Sequence, residues 1–593
     1  RSATASEFLD YVTKRYEDKI PAYRAAYPDW WTDGFGSAAR ETAASRKTHS
    51  DMTAVEGLLS MAVLKDKCLP QTTHQRIEHI HESLLFYDEH TFGASESVSD
   101  PLCENSQVQW GEKSAYAWEA VKRTQMLYET SVGLLQGDLR RGKNPTLTIF
   151  NTLNWKRSEM LTVYIDFEVI PRNQFFEITD FQGHSLKVQP IRYRREGCYY
   201  AIFAEDIPPM GYKTFEIVFK QPSTDTGTIT INNASIENHF YKLQLNPDKG
   251  TIQSLYDKEL NCELVDSSSP WELGAFIYEK LGNRDQLAQY RLDDYNRTGL
   301  SECRIIDSSN GPIYQRILLQ GKSPGTDEAF GVNLEIKLYH DTKRIELEYA
   351  IKRLPETDPS GIYVAFPFQL PEGKLAFDVQ GGTVISGKNQ LEGTSTDWNT
   401  VQNFVSVQNN QAQIIIGSSL IPLYQLGDIN LGKFQYQKQY ERPHVYSWVM
   451  NNYWNTNFKA SQEGEFRWSY HLTSSVDPSS NLATKFGWSS RIPLYARVMP
   501  TGTENHKPTE YSAFHFEKDN FLMTSCTPSK EEGYILLNIR EIDGKRTNLR
   551  ILNEDGQTIP FTIVNAIEEK LENETSEHIF EGYQNKFIKI KRF

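Results

Sequence analysis

The first part of the chain carries apolar residues at the spacing of an amphipathic helix. In "DMTAVEGLLSMAVL" they recur at i, i+3, i+4, i+7 and i+8, at Val55, Leu58, Leu59, Ala62 and Val63. Pro70 and the polar residues after it end this pattern. A second helix is predicted next, with an apolar face formed by Ile77, Ile80, Leu84 and Leu85. A third is predicted from about Ser106 to Leu139, and three such helices form a small bundle.

After residue 142 the apolar period changes to two. Segments such as "TLTIFN", "LTVYIDF", "KTFEIVF" and "TITINN" alternate β-branched or aromatic residues between turn residues. The pattern continues to the C-terminus, and no further long helix is predicted. This strand-like region is about 450 residues long, which is too long to form one small β-sandwich. The predicted fold class is therefore α+β, with an N-terminal three-helix bundle followed by a large antiparallel β supersandwich and smaller β-sandwich domains.

Composition excludes several classes of protein. The net charge of −14 argues against a nucleic-acid partner, and no apolar run of membrane-spanning length exists. Six cysteines without CxxC spacing exclude a cysteine-based zinc site and a dense disulfide framework. Aromatic residues make up 12% of the chain, and they either fill β cores or stack on sugar rings. The chain begins Arg-Ser-Ala-Thr without Met, so residue 1 is expected to be a processing, cloning or cleavage point.

Three stretches in the same order resemble the glycoside hydrolase family 38 α-mannosidases. They are "PDWWTDGFGSAARE" (28–41), "YKLQLNPDKGTIQSLYDKELNCELVD" (241–266) and "WVMNNYWNTNFKASQEGEFRWSYHL" (448–472). The resemblance covers nearly the whole chain and implies a zinc-dependent retaining hydrolase acting on α-linked mannose. Such chemistry uses two carboxyl groups about 5 Å apart. The family carries its nucleophile, acid/base and first zinc ligands in an α/β barrel ahead of the helical domain, which implies that these groups lie upstream of this chain.

The resemblance and the change of period together predict the domain boundaries. Residues 1–36 are expected to form the end of the barrel region and a connector, and residues 37–141 the three-helix bundle. A small β domain is expected over 142–225, and a galactose mutarotase-like β supersandwich over 226–500. Residues 501–593 are expected to form a C-terminal β domain.

Asp88, Glu89 and His90 stand together at the end of the second helical pattern, and a Thr-Phe-Gly turn follows. The resemblance implies a zinc-binding His followed by Asp shortly before a Gly in this region. Counting back from Gly93 places that His nearer Asp88 than His90. Either His90 reaches zinc from a shifted turn or Asp88 is the ligand. A third interpretation is a solvated helix end, which the helix dipole disfavours because carboxylates oppose it there.

The predicted substrate-binding residues share aromatic or polar chemistry suited to sugar recognition. They are Trp31, Asp33, Asp88, Glu89, Asn452 and Tyr453. Trp31 and Asp33 follow a Pro-Asp turn, and the resemblance implies a sugar-stacking Trp in this segment. The alternative is that this pair forms a hydrophobic staple and a cap at the start of a helix. Most of "NNYWNTN" is expected to satisfy backbone groups in a tight bend, with Asn452 and Tyr453 as the residues expected to contact sugar.

The predicted function is therefore the helical and β portion of a retaining, zinc-dependent α-mannosidase that completes the zinc site and sugar pocket. One alternative is a polysaccharide lyase-like enzyme, since helices followed by a β supersandwich describe some lyases. Another is a non-catalytic carbohydrate-binding or scaffold fragment. The expected partner is an α-mannoside or glycan, with an upstream barrel polypeptide or a second copy as further candidates, and neither a nucleic acid nor a membrane is expected. Glycan-degrading relatives favour a secreted or periplasmic location.

Overall fold

The computed structural model describes residues 2–221 and 234–593, so the expected boundary between residues 225 and 226 lies outside the described residues. Its helices are α1 (Ala5–Tyr16), α2 (Ala39–Leu64), α3 (Thr73–Asp88), α4 (Glu104–Leu135) and α5 (Ser480–Arg491). Short 3-10 helices lie at Glu17–Lys19, Thr32–Ala38, Gln136–Asp138 and Arg284–Gln289. Helices α2, α3 and α4 pack against one another, and antiparallel sheets follow, so the α+β prediction is confirmed.

Helices α1 and α5 were not predicted from the sequence. Helix α5 begins after Ser479, whose side chain accepts a hydrogen bond from the backbone N–H of Leu482. The side chains it buries are small or polar, which hides the apolar period; they are Asn481, Ala483, Thr484 and Gly487. Helix α1 starts with a capping box between Thr4 and Glu7 and buries no residue. Among the described helices, none is both long and apolar enough to cross a bilayer.

The supersandwich is built from three antiparallel sheets. The longest runs in the order Ser301–Asn310, Tyr314–Lys322, Val332–Tyr339, Ile345–Arg353, Gly464–Ser475, Gln413–Gly417, Val405–Gln408, Lys374–Val379, Gly382–Ile385. The facing sheet runs Tyr295–Thr298, Ala275–Leu281, Ser360–Phe366, Val445–Asn451, Leu423–Leu426, Asn399–Thr400. A smaller sheet runs Cys262–Glu263, Thr251–Asp257, Tyr241–Asn246, Ser235–Glu237. Their inward faces share one apolar core.

Smaller antiparallel sheets lie before and after the supersandwich. One runs Tyr495–Met499, Thr146–Asn151, Gly211–Lys220, Glu510–Ser512, with Phe175–Thr179 also on Gly211–Lys220. It packs on Arg157–Asp166, Gly197–Ile207, Lys187–Tyr193. The C-terminal sheet runs Phe521–Pro528, Tyr534–Glu541, Asn585–Lys591, Thr562–Val564. Two ribbons join His515–Phe516 to Ile551–Leu552 and Thr547–Leu549 to His578–Phe580.

Helix α2 connects the bundle to the sheets. Its apolar residues enter two cores, one shared with α3 and α4 and the other with the C-terminal sheet. Leu59 belongs to the first core, whereas Leu58 and Met61 belong to the second, and all three side chains are fully buried. Burial on both sides fixes the direction of α2, which carries much of the candidate site.

The structure corrects one detail of the predicted face of α3. Ile77, Ile80, Leu84 and Tyr87 are buried, whereas Leu85 is 70% exposed. Neighbouring residues on a helix point about 100° apart, so the stripe that includes Leu84 turns Leu85 towards solvent.

This difference predicts unequal effects of truncating two adjacent leucines. Leu84→Ala should lower the free energy of unfolding by about 2–5 kcal/mol, because it removes fully buried methyl groups and leaves a cavity. Leu85→Ala should change it by less than about 0.5 kcal/mol, because that side chain is exposed. Urea denaturation followed by circular dichroism measures both, and equal losses would contradict the assigned face.

Candidate functional site

The 3-10 helix Thr32–Ala38 packs closely on the segment that follows the strand Val445–Asn451. A Cβ atom on Gly34 would lie 1.9 Å from the Phe458 ring, and one on Gly36 would lie 2.3 Å from Asn451 Nδ2. Asn451 Nδ2 donates to the Asp33 carbonyl at 2.9 Å. Glycine is therefore required for this close approach, which places Trp31 and Asp33 against the β domain.

Gln462 joins the same turn to the start of α2. Its Nε2 donates to the Gly36 carbonyl at 2.8 Å and to the Asn451 carbonyl at 3.1 Å. Its Oε1 accepts from the Ala39 N–H at 2.9 Å, which satisfies a free donor of the first turn of α2. One buried amide thus connects the turn, the strand end and the helix.

Asp33 is buried beneath this turn and is 7% exposed. Trp454 Nε1 donates to its Oδ1 at 3.0 Å. Burial is the largest influence and raises the pKa of Asp33 to about 7, although the Trp454 hydrogen bond lowers it. Asp33 therefore titrates near neutral pH, as a general acid or base does, although its burial keeps it from open solvent.

Trp31 lies on the surface above Asp33 and is 50% exposed. Its ring centroid is 4.9 Å from that of His90 and 6.0 Å from that of Trp454. The structure therefore brings together Trp31, Asp33 and His90, which are more than 50 residues apart at their extremes. Exposed indole and imidazole faces of this kind suit stacking on a sugar ring.

Glu89 and His90 form a pair at the end of α3. His90 Nδ1 lies 2.6 Å from Glu89 Oε1, and both side chains are about half exposed. Lys113 Nζ donates to the Glu89 carbonyl at 2.7 Å and to the Phe86 carbonyl at 2.8 Å. Partial burial opposes ionisation, but hydrogen bonds from Thr91 and Lys113 lower the pKa of Glu89. Lys113 therefore offsets the helix-end charge that made a carboxylate unfavourable there.

Asp88 contacts a different set of residues. Its Oδ2 lies 2.7 Å from His49 Nε2, and its Oδ1 accepts from Ser45 Oγ at 2.8 Å. Both partners belong to α2, so Asp88 faces α2, whereas His90 contacts Trp31. Consecutive residues at the helix end therefore serve two neighbouring surfaces.

The described residues do not fit a complete zinc site on their own. Asp88 with His49 and Glu89 with His90 each offer two possible donors. No group of three or more His, Cys, Asp or Glu residues suited to a metal exists in the part of the chain that the structure describes. Catalytic zinc takes three protein ligands, and neither pair supplies that number.

Asn452 and Tyr453 are buried, each 3% exposed. Asn452 Nδ2 donates to the carbonyls of Glu356, Asp358 and Ala460, and its Oδ1 accepts from the Ser360 N–H. The Asn452 side chain thus bridges backbone groups. Both its amide nitrogen and its amide oxygen are occupied by these bonds, so neither is free for the predicted contact with sugar.

Tyr453 donates its hydroxyl hydrogen to Glu279 Oε1 at 2.6 Å. Glu279 is fully buried, also accepts from Tyr363, and forms an ion pair with Arg297 at 2.5 Å. The Tyr453 hydroxyl is therefore held in a closed internal network, which leaves it no surface for the predicted sugar contact.

A cleft of about 970 Å³ adjoins the Asp88 surface. Arg46, His49, Asp378 and Arg491 line it, and sequence reasoning missed all four. The sequence signal was a polar stripe at helical spacing along α2, formed by Thr42, Arg46, His49, Thr53 and Glu56. A second His–carboxylate pair, His81 with Glu56 at 2.6 Å, lies in the same cleft.

Comparison with known proteins agrees with this architecture. The family model of the "Glycosyl hydrolases family 38 C-terminal domain" matches residues 236–434, and that of the "Alpha mannosidase middle domain" matches residues 29–135. The chain belongs to glycoside hydrolase family 38, of which it carries these middle and C-terminal domains. A search of curated proteins found no match.

Solved structures show the same fold at low sequence identity. An alpha-mannosidase from Enterococcus faecalis V583 superposes with a TM-score of 0.74 at 13% identity, covering 99% of this chain and 72% of that one. A family 38 protein from Enterococcus faecalis gives a TM-score of 0.73 at 14% identity, covering 99% and 74% of the two chains. The resemblance expected from the sequence is thereby confirmed.

The raised pKa of Asp33 predicts a pH-dependent stability. The folded state holds this proton up to about pH 7, whereas an unperturbed Asp loses it near 3.8. Folded protein therefore binds more protons within that window, and wild-type stability should fall by a few kcal/mol as pH rises through it. Asp33→Asn should remove this loss.

The measurement is the thermal midpoint of both proteins across this pH window, with exposed Asp18→Asn as the control. Asp18→Asn should follow the wild-type profile. Parallel profiles for wild type and Asp33→Asn would contradict the protonation of Asp33 in the folded state.

Proposed function

We propose that this chain is the helical and β portion of a retaining, zinc-dependent α-mannosidase, and that it contributes to the sugar pocket and the zinc site. The observation that carries the proposal is the match to the middle and C-terminal family domains in their expected order. The meeting of Trp31, Asp33 and His90 at one surface supports it, because Trp31 and Asp33 are predicted to bind sugar and His90 is predicted to bind zinc.

Trp31 is the residue proposed to stack on the apolar face of a mannose ring. Half of its surface is exposed, and Trp454 supports it from one side. Trp454 also donates a hydrogen bond to Asp33, so the aromatic surface and the carboxyl group are held in a fixed orientation relative to each other. A fixed aromatic face beside polar groups is the usual composition of a sugar site.

His90 is the residue proposed to reach zinc. Ligating histidines usually donate their other ring N–H to a carboxylate, which fixes the ring. Glu89 provides that carboxylate at His90 Nδ1, and Nε2 then has Thr91 Oγ1 at 3.3 Å as its neighbour. Asp88 is the alternative ligand, since carboxylate oxygen also binds zinc. Bound zinc would orient sugar hydroxyl groups and stabilise developing charge.

The remaining zinc donors, the nucleophile and the acid/base are proposed to lie on residues outside this chain. The support is that the matched Enterococcus structures extend beyond the region shared with this chain, which covers 72% and 74% of them. In that arrangement the glycan would be bound between this chain and the residues outside it.

Zinc dependence predicts loss of activity on chelation. Hydrolysis of an aryl α-mannoside by the complete natural protein should stop with a chelator and return with Zn²⁺. His90→Ala should lower zinc affinity by at least about 10- to 100-fold, which is the loss typical of removing only the hydrogen-bonding partner of a ligand. The exposed residue His79 lies on the same helix and provides the control, because His79→Ala should leave zinc binding unchanged.

Zinc content is measured by elemental analysis, alongside hydrolysis. Full activity in chelator, or unchanged zinc affinity in both His90→Ala and Asp88→Ala, would contradict the proposed metal site. Sugar binding with no turnover would favour the carbohydrate-binding alternative. Release of unsaturated sugar products that absorb ultraviolet light would favour the lyase-like alternative.

A further inference from the structure

The cleft beside α2 contains arginines without acidic partners. Arg46, Arg491 and Arg540 line it, and none of them forms an ion pair with any residue that the structure describes. Arg46 lies on α2, Arg491 ends α5, and Arg540 ends a strand of the C-terminal sheet. Three separate elements thus direct positive charge into one cavity.

Arg46 and Arg491 converge on Gln402. Arg46 Nη2 donates to the Gln402 backbone carbonyl at 2.8 Å, and Arg491 Nη1 donates to its side-chain Oε1 at 3.0 Å. Arg491 also donates from Nε to Ser50 Oγ at 2.7 Å and from Nη1 to Asn403 Oδ1 at 3.3 Å. All these acceptors are neutral, so hydrogen bonds hold the two guanidinium groups in place without cancelling their charge.

The acidic groups of the cleft are already engaged. Asp88 is paired with His49, and Glu56 is paired with His81. Asp378 accepts hydrogen bonds from the Asn403 and Phe404 N–H groups and from Asn403 Nδ2. Asp29, at the rim, accepts from the Trp31 N–H. Among the described residues no carboxylate forms an ion pair with these arginines, although Asp378 attracts all three at longer range and Asp88 attracts Arg46 and Arg491.

The buried side-chain atoms of the cleft that lack a hydrogen-bond partner, among the described residues, are all donors. Among the described residues that line it, buried side-chain atoms without a hydrogen-bond partner are Arg46 Nε, Arg540 Nε and Trp488 Nε1. Burial, followed by repulsion from Arg491, lowers the pKa of Arg46 to about 9, and attraction by Asp378 and Asp88 only partly offsets this. Holding two such charges together is unfavourable unless an anion joins them.

We propose that the Arg46–Arg491 pair binds an oxyanion carried by the sugar substrate, namely a carboxylate, sulfate or phosphate group. Planar guanidinium groups match such oxyanions with paired N–H donors. The assignment of the anion to a sugar rests on the proposed function, since it places a charged glycan at the cleft of a glycoside hydrolase. The anion site itself rests only on the arginines and their contacts.

Titration calorimetry with sulfate, phosphate and D-glucuronate tests the site, with D-mannose as the neutral reference. At least one anion should bind the complete protein and raise its thermal midpoint, and D-glucuronate binding separates a sugar carboxylate from inorganic oxyanions. Arg46→Gln and Arg491→Gln should each weaken that binding at least about tenfold, as loss of a charge-assisted hydrogen bond does. Lys47→Gln should not, because Lys47 lies outside this cleft and pairs with Asp51.

Gln402→Glu provides a variant expected to fold whatever the arginine variants do. It places a carboxylate of nearly the same shape at the side-chain position that accepts from Arg491, on the residue whose backbone carbonyl accepts from Arg46. It should therefore raise the thermal midpoint and abolish anion binding together, because the protein then supplies its own counter-charge. Unchanged anion affinity in Gln402→Glu, equal weakening by Lys47→Gln, or no binding of any anion by the wild type would overturn the proposal.

Hydrolysis of a neutral aryl α-mannoside keeps this inference distinct from the proposed function. Turnover of that substrate without anion binding would reject the anion site and leave the α-mannosidase proposal standing. Anion binding without α-mannoside turnover would reject the α-mannosidase proposal and leave the anion site standing.

Discussion

The candidate site depends on the contact between the turn that precedes α2 and the segment 451–462 of the β domain. Gln462 and Asn451 satisfy backbone groups of the turn, and the absence of side chains at Gly34 and Gly36 allows the turn to pack against the Phe458 ring and the Asn451 amide. Buried backbone groups must be paired, so this contact admits one arrangement rather than a range of them. It fixes the entry of α2, and with it the positions of Trp31 and Asp33.

Helix α2 then serves two purposes along its length. Its apolar residues pack into the bundle and the C-terminal sheet, whereas its polar stripe faces the cleft. Because the helix is packed on both apolar sides, Arg46 and His49 cannot turn away from the cleft without unpacking the bundle. The position of each polar residue is therefore set by burial of its apolar neighbours, which is how a rigid element preorganises a site.

Local sequence patterns predicted the elements that have strong periods. Helices α2, α3 and α4 and the change to strands follow from spacing alone, because burial of one face imposes that spacing. Helix α5 is not predicted by this spacing because its buried residues are small or polar. The sequence predicts a sugar contact for Asn452 and Tyr453 because it shows their polar and aromatic chemistry. It does not show which of their polar groups already have hydrogen-bond partners within the protein. Their partners, such as Ser360 and Glu279, are distant in the chain.

The same limit explains why the arginine pair was not found from the sequence. Arg46, Gln402 and Arg491 come from three distant segments, and only tertiary packing brings them together. Lack of an ion pair does not define a site by itself, since Arg353 is also buried without one and donates to Ser360 at a place outside the cleft. Elsewhere the chain neutralises a partly buried arginine, as Glu279 does for Arg297. Two guanidinium groups that converge on one neutral residue, with no ion pair to either of them among the described residues, are difficult to explain by folding stability alone. A bound anion accounts for both their convergence and the missing carboxylate.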